Sequence, residues 1–216
     1  CTDPATLCTW AGTGEAGFDG DNNPLLSSMF YWPVDLTFTT GGDAFVMDWN
    51  NHAVRQVQPD GSLLTVIGSG FIGDGPEDLS DHMPPGAAGT EVNLNHPTQL
   101  VELPSGKLLL VSWHNHKLRE YDPKTGLVVI TCGDHPGFGG DGEDARNASL
   151  NQPTQVELAP DGSLFILDMR NQVIRRIGPD GIIETVAGTS GEAGYSGDGG
   201  PPLEARFEFP AGSNPP

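Results

Sequence analysis

Residues 153–188 read PTQVELAPDGSLFILDMRNQVIRRIGPDGIIETVAG and contain four short apolar runs separated by turn residues. The runs span residues 154–158, 164–168, 173–177 and 182–187 and are rich in Val, Ile, Leu and Phe, which is typical of β-strands. The phrase PDG occurs twice, at residues 160–162 and 179–181. It predicts hairpin turns, because proline fixes φ and glycine accepts a positive φ. The stretch therefore predicts a four-stranded antiparallel sheet.

Two further segments repeat this pattern, one beginning at Pro33 and one at Pro97. Pro33, Pro97, Pro153 and Pro210 recur at offsets of 64, 56 and 57 residues. Four antiparallel strands repeated at a fixed period predict an all-β fold of β-propeller blades. A β-solenoid usually has shorter turns, and a β-sandwich would not repeat its turn phrases so faithfully. We expect three complete blades at about residues 33–69, 97–133 and 153–189, with inter-blade loops at 14–32, 70–96, 134–152 and 190–210.

Residues 6–14, TLCTWAGTG, match ETVAGTSG at residues 184–191. This match predicts one extra N-terminal strand that corresponds to the fourth strand of a blade. Three blades and one extra strand predict a partial propeller, one domain over residues 1–216, with two open sheet faces. We expect either a segment of a longer propeller or a chain that needs a protein partner to close it.

The composition excludes several classes of protein. Thirty glycines, 19 prolines and 36% hydrophobic residues favour many strands and turns over a helical bundle. The net charge of −19 argues against nucleic acid and anionic lipid as partners. No apolar run approaches the length of a membrane span. The motifs G-x-S-x-G and H-E-x-x-H and a Cys-His signature do not occur, which favours a non-catalytic function.

The exit of the second predicted strand carries a recognisable phrase. It reads DWNNHAVRQV from Asp48, SWHNHKLREY from Ser112 and DMRNQVIRRI from Asp168. These phrases resemble NHL repeats, the propeller units named after an Asn-His-Leu phrase, and the resemblance covers nearly the whole chain. It implies a structural or protein-binding module of a bacterial exported or lipoprotein type. Two alternatives remain: a propeller lyase or hydrolase with a metal near the central axis, and a calcium-stabilised adhesin or assembly subunit.

Residues that recur in phase are better explained by architecture than by catalysis. We expect His52 and His116 to make structural hydrogen bonds within each blade, and Gln172 replaces this histidine in the third unit. The arginines are expected to hold neighbouring turns or the aspartates at the end of the second strand. The residues with these structural roles are Asp48, Asp168, His52, His116, Arg55, Arg119 and Arg175.

A glycine-rich phrase precedes each blade and recurs after the last: GFDGDNNP, GFIGDGPED, GFGGDGEDA and GYSGDGGPP. Its equivalent aspartates are candidate calcium ligands. The alternative is that each aspartate accepts backbone hydrogen bonds while the neighbouring aromatic packs between blades. Calcium loops need several oxygen ligands and only one aspartate recurs, which favours the structural alternative. Ca²⁺ is the one cofactor that the sequence raises, and the four residues are Asp21, Asp74, Asp141 and Asp198.

The first inter-blade loop after blade 1 carries an acidic insertion, PEDLSDHMPPGAAGTEVNLN. Its polar cluster is a candidate metal or partner site, although a solvated loop is the favoured alternative. Three histidines that do not repeat are candidate binding residues, and convergence of two of them with His82 would favour a zinc site. The cluster comprises Glu77, Asp78, Asp81 and His82, and the other histidines are His96, His114 and His135.

The chain begins with Cys1. A cysteine at a mature N-terminus predicts a lipid anchor of the bacterial lipoprotein type, and the alternatives are a Cys1–Cys8 disulfide or a fragment boundary. Lipid and disulfide exclude each other, because the lipid would occupy the Cys1 sulfur. We expect an exported protein at the bacterial cell surface, in the periplasm or outside the cell. Cys132 is expected to be a small core residue.

Overall fold

The computed structural model describes residues 6–73, 81 and 83–209 and contains three antiparallel sheets, two of four strands and one of five. The four strands of each blade lie side by side in chain order, which confirms the predicted all-β fold of propeller blades. A two-residue strand, β5, pairs with the outer strand of the second sheet. The strands are β1 (Pro33–Phe38), β2 (Ala44–Asp48), β3 (Ala53–Val57) and β4 (Leu63–Ile67) in blade 1, β5 (Ala87–Ala88), then β6 (Pro97–Glu102), β7 (Leu108–Ser112), β8 (Lys117–Asp122) and β9 (Leu127–Cys132) in blade 2, and β10 (Pro153–Leu158), β11 (Leu164–Asp168), β12 (Val173–Ile177) and β13 (Ile183–Ala187) in blade 3.

The only helical segments among the described residues are short 3-10 turns. Two of them join the second strand of a blade to its third strand, and the others lie in the loops between blades. They span Leu25–Ser27, Trp49–Asn51, Gly89–Glu91, Ala145–Asn147, Met169–Asn171 and Pro202–Glu204. No described helix is long and apolar enough to cross a bilayer.

The strand ends and the hairpins lie at equivalent places in every blade. The proline that begins the first strand lies opposite the last residue of the second strand, as in the pairs Pro33–Asp48 and Pro153–Asp168. We call this end of the blades the upper face. The hairpins that contain the PDG turns lie at the opposite end, the lower face. Gly162 and Gly181 have φ values of 86° and 80°, as the PDG turns predicted.

The hydrophobic core lies between successive blades. Phe45, Met47 and Val54 of blade 1 pack in one cluster with Leu100 and other residues of blade 2. A second cluster joins blade 2 to blade 3. This packing of sheet against sheet leaves one face of each terminal blade without a neighbouring blade in the described chain. Leu36, at the position of the buried residues Leu100 and Val156, is accordingly 45% exposed.

Each inter-blade loop covers the outer edge of the blade that follows it. In the loop before blade 3, Gly142 N donates to Ile183 O, and Ile183 N donates to Glu143 O. The loop before blade 1 pairs with Leu63 in the same way, and β5 pairs with β9 in blade 2. The loops thereby satisfy the edge-strand backbone groups that would otherwise invite pairing with other chains.

The extra N-terminal strand is not formed as the sequence predicted. Gly12 N donates to Leu25 O, as Gly68 N donates to Gly89 O, so residues 6–14 take the position of a fourth strand at the upper face. They belong to no sheet, because the described residues contain no third strand for them to pair with. Leu7 is 99% exposed where its equivalent Leu63 is buried. The expectation of a longer propeller or a closing partner stays a prediction.

Candidate functional site

Three equivalent residues, one from each blade, meet at the upper face. Trp49, Trp113 and Met169 directly follow the second strand of their blades and form one buried cluster. The rings of Trp49 and Trp113 are stacked, with their centroids 6.0 Å apart. Equivalent residues of different blades come together near the axis around which the blades are arranged. The cluster therefore marks the axial part of the upper face.

Six side chains surround this cluster, two from each blade. One of the two follows the tryptophan or methionine, and the other precedes the proline that begins the first strand. Backbone hydrogen bonds hold the two positions together, from Asn50 N to Tyr31 O (2.9 Å), from His114 N to Asn95 O (3.1 Å) and from Arg170 N to Asn151 O (3.0 Å). We call these six residues the axial ring: Trp32, Asn50, His96, His114, Gln152 and Arg170.

The two ring residues of a blade are in contact in blades 2 and 3. In blade 2 the Nδ1 atoms of His96 and His114 are 2.8 Å apart, so one imidazole donates a hydrogen bond through its Nδ1–H and the other accepts it. In blade 3 Arg170 Nε donates to Gln152 Oε1 at 2.8 Å. His96 Nε2 also lies 3.3 Å from Asn50 Oδ1 of blade 1. The ring therefore contains a polar network that joins blades 1 and 2 and a separate polar pair in blade 3.

Two of the three histidines whose convergence would favour zinc thus meet, whereas His82 lies outside the described residues. The remaining candidate, His135, is exposed and lies apart from the ring, where its ring nitrogens contact Asp134 Oδ2 (3.1 Å) and Ser149 Oγ (3.0 Å). In the described part of the chain, no group of three or more His, Cys, Asp or Glu side chains is placed to hold a metal ion.

The recurring histidines join neighbouring blades. His52 Nδ1 accepts a hydrogen bond from His96 N, and His116 Nδ1 accepts one from Gln152 N, both at 3.1 Å. Gln172 makes the same contact in blade 3, where its Oε1 accepts from Phe209 N at 2.8 Å. The expectation of a bond within each blade is therefore wrong, because each of these side chains bonds to the residue before the next blade. The side chain reaches out because its own backbone is left-handed (φ 53° for His52), which turns it toward the start of the next blade.

Burial keeps the imidazoles of the upper face uncharged. It lowers the pKa of His96 to about 4, with His52 and His114 adding to the effect. Burial likewise lowers the pKa of His52 and of His114. All three are therefore neutral near pH 7.

These shifts predict that the protein loses stability on mild acidification. Between about pH 4 and 6.5 the unfolded chain binds a proton at His96 that the native chain does not, so stability falls as pH falls through this window. Replacing the pair by His96→Gln with His114→Arg copies the Gln152–Arg170 pair of blade 3. When the pH is lowered from about 7 to about 5, we expect the free energy of unfolding to fall by about 1 kcal/mol less in this double variant than in the parent, as measured by urea unfolding. An identical pH dependence in both proteins would contradict the assignment.

A buried arginine on the third strand of each blade is held by carboxylates and carbonyls. In blade 3 the fully buried Arg175 lies 2.6 Å from Asp141 Oδ1 and 3.5 Å from Asp168 Oδ2, and it donates to Gly139 O at 3.1 Å. The guanidinium carbon also lies 5.0 Å from the centroid of the Phe138 ring. These contacts surround the cation with anionic, dipolar and aromatic partners.

Blade 1 repeats this arrangement. Arg55 Nη2 lies 3.5 Å from Asp21 Oδ1, Arg55 Nη1 lies 3.7 Å from Asp48 Oδ2, and the Phe18 ring centroid lies 5.0 Å from the guanidinium. Asp21 Oδ1 also accepts from Thr65 N (2.9 Å) and Thr65 Oγ1 (2.8 Å).

Asp141 makes the corresponding contact in blade 3, where its Oδ2 accepts from Thr185 Oγ1 at 2.7 Å. Asp21 and Asp141 thus tie each loop to the arginine and threonine of the following blade. This use of the carboxylates favours the structural alternative over calcium.

In blade 2 different residues hold the buried arginine and the loop. Asp81, which the sequence grouped with candidate metal ligands, is buried, and its Oδ2 lies 3.2 Å from Arg119 Nε. Where Ser112 replaces the aspartate of the other blades, Asn115 Oδ1 accepts the hydrogen bond from Asn95 N at 2.8 Å. In blade 3 the Asp168 carboxylate accepts the corresponding bond from Asn151.

The remaining candidate residues are placed as follows. Asp198 is exposed and its Oδ2 accepts from Tyr195 OH at 2.9 Å. Cys132 is buried, and burial raises the pKa of its thiol to about 12, so it is unreactive. Cys8 is exposed. The lipid or disulfide at Cys1 stays a prediction, since that residue lies outside the described residues, as do Asp74, Glu77 and Asp78.

Most of the axial ring was not found from the sequence. Trp32, Asn50, Gln152 and Arg170 carry no catalytic or metal-binding motif, and only His96 and His114 were candidates. A usable signal was nevertheless present, because the three units differ at these equivalent polar positions while the buried arginines recur.

No family model matches the chain. The protein SUPPRESSOR OF QUENCHING 1, chloroplastic, of Arabidopsis thaliana is 28% identical over 137 residues, which is 62% of this chain and 13% of that protein. Among solved structures, a structural genomics protein of unknown function from Bacteroides thetaiotaomicron aligns with a TM-score of 0.60 and 19% identity over 81% of this chain and 40% of that chain.

An auxiliary nutrient binding protein from the same organism aligns with a TM-score of 0.51 and 20% identity over 81% of this chain and 40% of that chain. The chain spans 13% of the Arabidopsis protein and 40% of each Bacteroides chain. The structural likeness supports the β-propeller fold.

Proposed function

We propose that this chain is a non-catalytic binding module of the NHL-repeat propeller type and that the axial ring is its binding surface. The observation that carries the proposal is the contrast between two kinds of repeated position. The buried arginines recur in all three blades, whereas the ring positions hold Asn, His and Arg in one set and Trp, His and Gln in the other. In repeat proteins the shared positions build the unit, and the positions that differ shape the surface that a partner contacts.

The chemistry of the ring fits the recognition of a polar or aromatic partner surface. Trp32 is 57% exposed, and Arg170 is also exposed. Tryptophan and arginine are the side chains most enriched at binding hot spots. Beneath the ring, the indole Nε1 donors of Trp49 and Trp113 are buried and have no hydrogen-bond partner among the described residues. Unpaired buried donors are costly, so the layer beneath the ring is not fully satisfied by the described residues.

A groove beside the ring extends this surface. It has a volume of about 510 Å³, lies between the loops of blades 1 and 2, and is lined by Asn50, His52 and Ser69 among others. Asn50 belongs to both the groove and the ring, so a bound protein segment could contact both.

Two further parts of the proposal concern location and closure. The proposed location is exported or at the cell surface, and it is supported by the auxiliary nutrient binding protein that shares the fold. Further blades of a longer polypeptide, or a protein partner, cover the two blade faces that lack a neighbour.

The binding surface is tested with a random peptide library selected against the protein. We expect the selected peptides to lose at least about tenfold in affinity for Trp32→Ala or Arg170→Ala, a loss of about 1.4 kcal/mol or more. Affinities are measured by isothermal titration calorimetry with the same peptides.

The matched controls lie at the lower face. Phe38→Ala removes an aromatic side chain that is 60% exposed, and Lys124→Ala removes an exposed cation. Neither is expected to change peptide affinity. Peptides that bind Trp32→Ala and Arg170→Ala as tightly as the parent would refute the axial ring as the binding surface. Stoichiometric zinc or calcium in the purified protein would instead favour the metal-dependent alternatives.

A further inference from the structure

The loop of residues 190–209 has the form of a loop that precedes a blade. Gly194 N donates to Phe207 O at 3.1 Å, as Gly17 N donates to Phe30 O (3.2 Å). Gly197 and Gly140 each lie close to an alanine later in the same loop. A Cβ added at Gly197 would lie 2.7 Å from Ala205 Cα, and one added at Gly140 would lie 2.7 Å from Ala148 Cα. The loop is therefore built like the two loops that hold Arg55 and Arg175.

The end of this loop is also held in place. Gln172 Oε1 accepts from Phe209 N, in the way that His52 and His116 accept from the residue before the next blade. Phe209 thus occupies the position from which the first strand of a blade begins, and Pro210 follows it in the sequence.

We infer that Tyr195, Asp198 and the carbonyl groups near them form a socket for the buried arginine of a further blade. Asp198 is equivalent to Asp21 and Asp141, each of which contacts an arginine of the following blade. Tyr195 is equivalent to Phe18 and Phe138, whose rings lie 5.0 Å from those arginines. With no following blade among the described residues, Tyr195 is 85% exposed and its hydroxyl donates to Asp198.

The adjoining face of blade 3 provides the apolar part of the interface. Phe165, Leu167 and Ile174 are partly exposed and line a groove of about 190 Å³. Their equivalents in blade 1 are buried against blade 2. Socket and groove together would receive a blade that presents apolar residues on its first two strands.

The socket takes a blade from polypeptide outside this sequence and excludes a second copy of the chain. In this chain Arg55, Arg119 and Arg175 are already paired with Asp21, Asp81 and Asp141. A second copy therefore has none of these arginines to donate. The occupant is a four-stranded blade with an arginine on its third strand and a threonine on its fourth, as in blades 1 and 3.

The socket belongs to the closure part of the proposed function. Its test uses no ligand of the axial ring, so either proposal can fail alone. A copy of residues 153–189 is appended after Phe209 in place of residues 210–216, and the Tm of this extended chain is compared with that of the parent. The copy carries its own equivalents of Arg175 and Thr185.

We expect Asp198→Asn to lower the Tm of the extended chain by roughly 5 °C or more and that of the parent by less than about 1 °C. Arg175→Gln in the appended copy alone should give a similar loss, and the two changes combined should cost little more than either alone. Glu204→Gln, an exposed carboxylate of the same loop, serves as the control and should leave both Tm values unchanged.

Two outcomes would overturn the inference. One is an appended segment that stays unfolded, seen as unchanged strand content by circular dichroism and no protection of its amides from exchange. The other is an Asp198→Asn change that shifts the Tm of parent and extended chain equally.

Discussion

Replacing Arg175 by methionine is expected to destabilise the protein by about 3–5 kcal/mol, because it leaves the buried carboxylate of Asp168 without its cation. Arg175 is fully buried between Asp141 and Asp168, and Asp168 is itself buried. The corresponding fall in Tm is roughly 6–20 °C for a chain of this size, measured by thermal unfolding followed by circular dichroism.

The neighbouring residue on the same strand provides the control. Arg176 is partly exposed and pairs with Glu184 (2.9 Å) and Asp161 (3.5 Å) near the surface. Arg176→Met removes the same charge and is expected to cost less than about 1 kcal/mol. Equal losses of unfolding free energy in Arg175→Met and Arg176→Met would contradict a central role for the buried pair of Arg175 and Asp168.

The loss in Arg175→Met should depend on pH. Burial raises the pKa of Asp168 to about 6, against the lowering effects of Asn151, Asn171 and Arg175. Without Arg175 that pKa rises further, so at low pH the carboxyl is protonated and its burial costs little. The variant should therefore be closer to the parent in stability at about pH 5 than at about pH 8. Asp168→Asn combined with Arg175→Met should likewise cost less than the sum of the single changes.

Replacing Gly133 by alanine is expected to cost about 3 kcal/mol or more, or to prevent folding. Gly133 follows β9 with a φ of 95°, and an added Cβ would lie 2.2 Å from His116 O. A positive φ costs a residue with a side chain about 1–2 kcal/mol, and the overlap with a backbone carbonyl adds to it. Moving that carbonyl would displace His116, whose Nδ1 accepts the hydrogen bond from Gln152 that joins blades 2 and 3.

The variant Gly106→Ala measures the cost of a positive φ without the overlap with a carbonyl. Gly106 has a φ of 80° in a lower-face hairpin, and a Cβ there would meet nothing within 4 Å. Gly106→Ala is expected to cost about 1 kcal/mol in urea unfolding. If Gly133→Ala does not fold, Gly188→Ala tests the same contact, since its Cβ would lie 2.5 Å from Gln172 O. Similar costs for Gly106→Ala and the strand-exit variants would show that overlap has no role.

The strands and hairpins followed from local chemistry, so the sequence predicted them well. The apolar runs of blade 3 begin and end within a residue of the observed strands, because each run is bounded by turn residues that fix the backbone. The recurrence of arginines and loop aspartates likewise anticipated architectural residues. Their partners could not be assigned, since Arg175 and Asp141 are 34 residues apart and meet only when the loop folds over its blade.

The sequence interpretation was misled where another residue takes over the role of a substituted one. Ser112 lacks the carboxylate of Asp48, and Asn115 takes over its hydrogen bond. Asp81 was grouped with metal ligands by its acidic neighbours, yet it reaches Arg119 in the interior. Composition showed that the insertion is acidic but not which carboxylate turns inward.

The sequence alone determined that this protein consists of four-stranded blades, because strand length, turn type and period are properties of short segments. Only the tertiary structure decided that Trp32, Asn50, His96, His114, Gln152 and Arg170 form one axial ring and that the loop containing Asp198 is shaped to receive an arginine. Both depend on how blades are placed around a common axis. That placement arises from packing between sheets, which brings together residues that no local pattern connects.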